Sequence, residues 1–76
     1  MLTSFVEYIV KSLVDKPDLV TITQTSEGKK VVIGVKVGEE DLGRVIGKDG
    51  QTIRAIRSLA LAVSPAGSDI SVDIIK

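Results

Sequence analysis

Two glycines separated by only two residues interrupt a helical pattern in the middle of the chain, within the segment Val45-Ile46-Gly47-Lys48-Asp49-Gly50. Apolar residues recur at helical spacing on both sides of this segment, so the chain must turn sharply here between two helices. Because glycine has no Cβ, it can adopt positive φ and lets another molecule approach the backbone closely. The segment therefore predicts a helix–loop–helix turn whose free N–H groups could hold an anion.

The chain is expected to form one domain over residues 1–76, a length that suits one small core. It contains neither cysteine nor histidine, which removes disulfides, thiolate metal sites and the commonest general base. No apolar run is long enough to span a membrane. The first segment is interrupted by Glu7, Lys11 and Asp15, so it does not resemble a signal peptide. We expect a cytoplasmic protein with no metal, no cofactor and no catalytic residue.

The first half of the chain predicts one helix and a hairpin. An apolar stripe at positions 2, 5, 6, 9, 10 and 13 indicates a helix that ends before Pro17. Phe5 is expected in the core, and Tyr8, off the stripe, is expected to be exposed. Residues 20–25 and 31–37 alternate and are β-branched, which predicts two strands around a tight turn at 26–29. The strands are expected to pair antiparallel.

The second half predicts two helices and a strand. Leu42, Val45 and Ile46 indicate a short helix that stops at Gly47, and a longer helix begins near Gln51. Residues 64–67 break that helix, and residues 70–75 alternate as a final strand. The order α-β-β-α-α-β predicts an α+β fold, a two-layer sandwich of a three-stranded sheet and three helices.

Charge is unevenly distributed along a chain whose net charge is zero. Residues 44–57 hold four basic residues and one acidic residue, a local charge of +3 around the glycines. The acidic run 39–41 precedes the short helix and is interpreted as a complement to the helix dipole, in preference to acid–base chemistry or metal binding. A positive segment beside a glycine loop favours a phosphate-bearing ligand.

Nucleotide-hydrolysing motifs fit this segment poorly. A P-loop requires G-x-x-x-x-G-K-[ST], but Gly43 to Gly47 is one residue short, and Asp49 stands where the magnesium-binding hydroxyl belongs. A dinucleotide fingerprint requires G-x-G-x-x-G, but residue 45 is Val and a helix precedes it. The remaining alternatives are a sharp structural turn and a clamp on a nucleic-acid backbone.

Residues 41–57 resemble the signature of the KH domain, which has the form V-I-G-K-x-G followed by a basic amphipathic helix. The element order resembles the type II, prokaryotic KH topology. Residues 5–15 and the chain length resemble the small bacterial single-KH RNA-binding proteins, the KH domain-containing protein A family. The resemblance covers essentially the whole chain and implies a non-catalytic module that clamps about four single-stranded nucleotides.

The resemblance implies a set of RNA-binding residues in and around the loop. The clamp consists of Gly47, Lys48, Asp49 and Gly50, and Val45 and Ile46 would present an apolar wall to the bases. Ile53 and Arg54 lie on the following helix. Arg44 and Arg57 are either outer phosphate contacts or solvated charges. Of the two wall residues, Ile46 is expected to lie in the core, and the position of Val45 is left open.

Two features predict weak binding by one copy. Asp49 places a negative charge inside the clamp, and the aromatic content of 3% offers no stacking platform for bases. The resemblance implies that members act in RNA chaperoning or post-transcriptional regulation, as a homodimer or as a heterodimer with a second KH-containing RNA-binding protein. The alternative is a protein-interaction domain that keeps the KH fold with little or no RNA binding.

Overall fold

The computed structural model describes residues 2–75 and consists of a three-stranded sheet with helices packed on one face. The predicted α+β class and the order α-β-β-α-α-β are confirmed. Single 3₁₀ turns lie at Pro17–Leu19, Glu39–Asp41 and Lys48–Gly50. The six main elements are α1 (Leu2–Leu13), β1 (Thr21–Glu27), β2 (Lys30–Lys36), α2 (Leu42–Ile46), α3 (Gln51–Ala62) and β3 (Asp69–Ile74).

The sheet has the order β1-β2-β3, with β2 antiparallel to β1 and parallel to β3. The predicted hairpin is confirmed, but the predicted four-residue turn was too long. Glu27 pairs with Lys30, so only Gly28 and Lys29 form the turn. Gly28 has φ 59°, as two-residue hairpin turns require.

The core lies between the sheet and the helices. Alternate residues of a strand face the helices, which is why β3 buries Ile70 and Val72 and leaves Asp69 and Asp73 exposed. The fully buried side chains are β-branched or small and come from every layer: Val6, Val10, Ile33, Val35, Val45 and Ala60. Burial of this apolar surface is the main term that stabilises a chain of this size.

The two aromatic residues of α1 differ in exposure. Tyr8 is 75% exposed, as predicted. The prediction that Phe5 lies in the core is wrong, because Phe5 is only half-buried. It lines a groove of about 640 Å³ with Leu2 of α1 and Val63 at the end of α3, where the helices leave part of the sheet uncovered.

The crossover from β2 to β3 places the α2–α3 loop at one end of the sheet. Parallel strands require the intervening α3 to run back along the sheet. The loop after α3 lies against the hairpin turn, where the Asp69 N–H donates to the Lys29 carbonyl oxygen at 3.3 Å. Since the twelve residues of α3 span roughly 18 Å, the segment Gly47–Gly50 lies at the opposite end from that turn. Within residues 2–75, no helix is long and apolar enough to cross a bilayer.

Candidate nucleic-acid interface

The turn between α2 and α3 is made by three residues with positive φ. Gly47 has φ 76° and ψ 173°, Asp49 has φ 57° and ψ 23°, and Gly50 has φ 76° and ψ 16°. Positive φ is readily available to glycine and, in the left-handed region, is best tolerated among other residues by Asn and Asp. The residue types at these positions therefore match the backbone that the sharp turn requires.

The two glycines are required for different reasons. A Cβ at Gly47 would lie 2.7 Å from the Cβ of Thr52 and 2.8 Å from its backbone nitrogen, so α3 packs directly on this glycine. A Cβ at Gly50 would meet nothing within 4 Å. Gly47 is thus a packing site within the protein, and Gly50 presents bare backbone to open space.

Fewer N–H groups are free at this turn than the sequence predicted. The Gly50 N–H donates to the Gly47 carbonyl oxygen at 3.2 Å, and the Gln51 N–H donates to the Lys48 carbonyl oxygen. These two N–H groups are therefore already used inside the 3₁₀ turn. The N–H groups of Lys48 and Asp49, at its start, have no partner within the turn.

The basic residues around the loop divide into two groups. Lys48, Arg54 and Arg57 are exposed, and across residues 2–75 none of them forms an ion pair. Arg54 and Arg57 are three residues apart on α3 and so lie close together on its surface. Arg44 is different, because its guanidinium is already paired with carboxylates of the protein. Of the four basic residues in segment 44–57, only Lys48, Arg54 and Arg57 are therefore free to pair with a ligand.

The two apolar residues that end α2 differ in burial. Val45 is 0% exposed and belongs to the core, whereas Ile46 is only half-buried. The prediction that Ile46 is the core residue is wrong, and Val45 has no exposed surface with which to contact RNA. A helix of five residues shows too little of its apolar period to define which side faces the sheet.

A groove lies between the second half of α3 and the start of β3, at the end of α3 away from the loop. Arg57 lines it, together with Ser68 and Ile70. The N–H groups of Asp69 and Ile75 point toward β2, where they donate to carbonyl oxygens. Backbone groups alternate in direction along a strand, so the N–H and C=O of residues 70, 72 and 74 point away from β2 and toward the open edge of β3. Among the described residues no strand pairs there.

Asp41, which was predicted to complement the dipole of the short helix, has a different role in the structure. Asp41 is 1% exposed, and its Oδ1 and Oδ2 accept hydrogen bonds from the N–H groups of Asp15 (3.1 Å) and Lys16 (3.0 Å). It makes no capping hydrogen bond to α2. No local pattern could have revealed this contact, because its partners lie 25 and 26 residues away in the chain.

Two helices joined by a short glycine turn, with the edge strand of the sheet beside them, are the arrangement that defines a KH domain. Residues 3–74 match the family model described as KhpA/KhpB, KH domain. The chain belongs to this family, as the sequence resemblance predicted.

Curated relatives agree with this assignment. An RNA-binding protein KhpA from Leifsonia xyli subsp. xyli is 40% identical over 75 residues, which cover 99% of this chain and 97% of the relative. One from Chlamydia trachomatis is 42% identical over 60 residues, covering 79% and 77% of the two chains. One from Streptomyces coelicolor is 37% identical over 75 residues, covering 99% and 92%.

Solved structures of Era support the fold. Era from Aquifex aeolicus bound to GDP and aluminium fluoride superimposes with a TM-score of 0.59 at 16% identity, covering 97% of this chain. Era in complex with MgGDPNP and a segment of 16S ribosomal RNA matches equally well. This chain spans only 30% of the length of either Era chain, so the likeness shows a shared fold.

Substitution of the two loop glycines tests their separate roles. Gly47→Ala should lower the free energy of unfolding by roughly 2–4 kcal/mol, because it combines backbone strain with displacement of Thr52. Gly50→Ala should cost only about 1–2 kcal/mol, from the left-handed conformation alone. Urea denaturation of both variants measures the difference, and equal costs would contradict the packing of α3 on Gly47.

Proposed function

We propose that this protein is a non-catalytic single-stranded RNA-binding module that clamps the RNA backbone with the loop Gly47–Gly50. The observation that supports this most directly is the unpaired, exposed Lys48 at the start of a glycine turn whose Gly50 side is open. Membership of the KhpA/KhpB KH family supports the choice of RNA over other phosphate-bearing ligands. The curated relatives carry the name RNA-binding protein.

The phosphate-binding part of the site consists of the loop and the outer side of α3. A phosphate beside Gly50 can approach the backbone closely and be paired by the Lys48 ammonium group. The next phosphates along the strand would pass Arg54 and Arg57. Since all three cations are exposed and unpaired within residues 2–75, they can bind phosphate without breaking an ion pair of the protein.

The base-binding part would lie beside the loop, along the end of the open edge of β3 that is nearest to it. Half-buried Ile46 and Ile53, on the two helices that flank the loop, would offer apolar surface for the faces of unstacked bases. The outward N–H and C=O groups at residues 72 and 74 offer donors and acceptors for base edges. This division, with phosphates on the loop and bases against a strand edge, suits single strands, because their bases are free to turn toward that edge.

Substitution of Lys48 tests the clamp. Lys48→Asp should weaken binding of a labelled short single-stranded RNA by at least about tenfold, because it replaces a phosphate contact with a repulsive charge. The slope of log affinity against log salt concentration should also fall by about 0.7, the value for one phosphate contact on a single strand. Fluorescence anisotropy over a series of salt concentrations measures both quantities.

The matched control is Lys29→Asp, which makes the same charge change at the hairpin turn, at the other end of α3 from the clamp. It should alter RNA affinity far less than Lys48→Asp. Equal weak binding by wild type and Lys48→Asp would contradict the clamp. It would favour the alternative of a protein-interaction domain, for which the half-exposed groove at Phe5 and Val63 offers an apolar surface.

Asp49 is expected to lower the affinity of the protein for RNA. Asp49→Asn removes its charge but keeps a side chain that tolerates the φ of 57° at this position. Affinity for the same RNA should rise about threefold, the gain expected when a like charge about 6 Å from a phosphate is removed in water. Weaker binding by this variant, with unchanged stability, would show instead that the carboxylate accepts a hydrogen bond from the RNA.

A single clamp with three free cations gives modest affinity, so we propose that the protein acts as a homodimer or beside a second KH-containing RNA-binding protein. Linking two weak sites can raise the overall affinity by orders of magnitude without any new contact. In that form it would serve as an RNA chaperone or post-transcriptional regulator in the cytoplasm, where a bacterial cell holds its RNA.

Sedimentation velocity over a range of protein concentrations tests self-association. A concentration-dependent shift toward the mass of a dimer is the expected result. A monomer at every accessible concentration would rule out the homodimer and leave the second KH-containing protein as the partner.

A further inference from the structure

A network of two hydrogen bonds and two ion pairs lies beside α2, on the side of this helix that faces the end of α1. Asp41, immediately before α2, is the buried carboxylate that accepts hydrogen bonds from the N–H groups of Asp15 and Lys16. Among residues 2–75 it is the only buried charged residue. It therefore fixes the start of α2 to the linker that follows α1.

Arg44 extends this network along α2 toward the loop. Its Nη2 lies 3.1 Å from Asp15 Oδ2, and its Nε lies 3.7 Å from Asp41 Oδ1. One guanidinium thus bridges a carboxylate before α2 and a carboxylate after α1. Arg44 lies two residues before Ile46, where α2 ends, so its contacts constrain the same short helix that carries the clamp loop.

A helix of five residues has little stability of its own, and its direction must be set by its contacts. Val45 fixes one side of α2 in the core, Asp41 fixes its start, and the packing of Gly47 on Thr52 fixes the residue after its end. None of these contacts acts on the exposed side of α2. Arg44 supplies that constraint, since it joins the exposed side of α2 to the linker at Asp15.

We propose that Arg44 is a positioning residue for RNA binding: it bridges Asp15 and Asp41, holds the end of α2 in place, and does not itself bind phosphate. This proposal rests on the proposed RNA clamp. Arginine suits the role because its planar group donates from several nitrogens in fixed directions, whereas lysine acts as a single point charge. Arg44, one of the four basic residues of segment 44–57, is thus used within the protein.

The two possible roles of Arg44 predict opposite effects of Asp15→Ala. If Arg44 binds phosphate, removing Asp15 frees the guanidinium and deletes a negative charge, so RNA affinity should rise. If Arg44 positions α2, removing Asp15 breaks the bridge, and affinity should fall by about three- to tenfold. Asp18→Ala is the charge-matched control, because Asp18 is an exposed acid of the next turn with no ion pair in the described chain.

The complete experiment measures binding of a labelled random-sequence RNA, about eight nucleotides long, which is twice the length that a KH clamp holds. The variants are Asp15→Ala, Arg44→Ala, their combination and Arg44→Lys, each shown to be folded by urea denaturation. We expect the two alanine variants to lose affinity by a similar factor and the combination to lose no more than either, because they disrupt one bridge. The slope of log affinity against log salt concentration should stay at its wild-type value in these variants. Arg44→Lys should not restore wild-type affinity.

Three results would overturn the proposal. One is tighter binding by Asp15→Ala; another is a salt slope lowered by about 0.7 in Arg44→Ala, as for a phosphate contact. The third is a loss of stability with unchanged affinity in the folded protein, which would indicate a purely structural bridge. Lys48→Asp in the same assay separates this failure from failure of the clamp, because only the latter predicts wild-type binding by Lys48→Asp.

Discussion

The sharp turn at Gly47–Gly50 is the constraint on which the rest of the structure depends. Helices α2 and α3 must both bury an apolar side against one sheet, and only four residues separate them. That geometry demands positive φ at three of the four and direct packing of Thr52 on Gly47. The same requirement leaves Gly50 bare and Lys48 exposed, so the residues that make the fold possible also create the surface that we assign to RNA.

Local periodicity accounts for the part of the fold that could be predicted. The order of elements, the hairpin and both glycine-flanking helices follow from patterns that span several turns or a whole strand. The orientation of α2 could not be predicted, because five residues do not distinguish Val45 from Ile46 as the inward side chain. The exposure of Phe5 depends on where α3 ends on the sheet, which is a tertiary property.

For the candidate site, the motif brings the loop residues together, but it does not reveal which neighbouring charges are already paired within the protein. The positions of Gly47, Lys48 and Gly50 in one loop follow from the motif itself. The use of Arg44 and Asp41 within the protein depends on contacts with residues 15 and 16, far away in the chain. Counting charges in residues 44–57 therefore overstates the positive charge that is available to a ligand. A neutral chain with only three free cations on the loop and α3 is consistent with weak, salt-sensitive binding that gains from association.

Titration of the isotope-labelled protein with a short single-stranded RNA, followed by backbone amide NMR, tests the central claim most directly. The account predicts that the largest shifts occur at residues 47–52, at Arg54 and Arg57, and at positions 72 and 74 along the open edge of β3. Residues of the open face of the sheet should remain unchanged. Shifts confined to that face, or to the apolar groove of Leu2, Phe5 and Val63, would contradict it, because RNA would then bind a surface that contains neither the glycine turn nor its free cations.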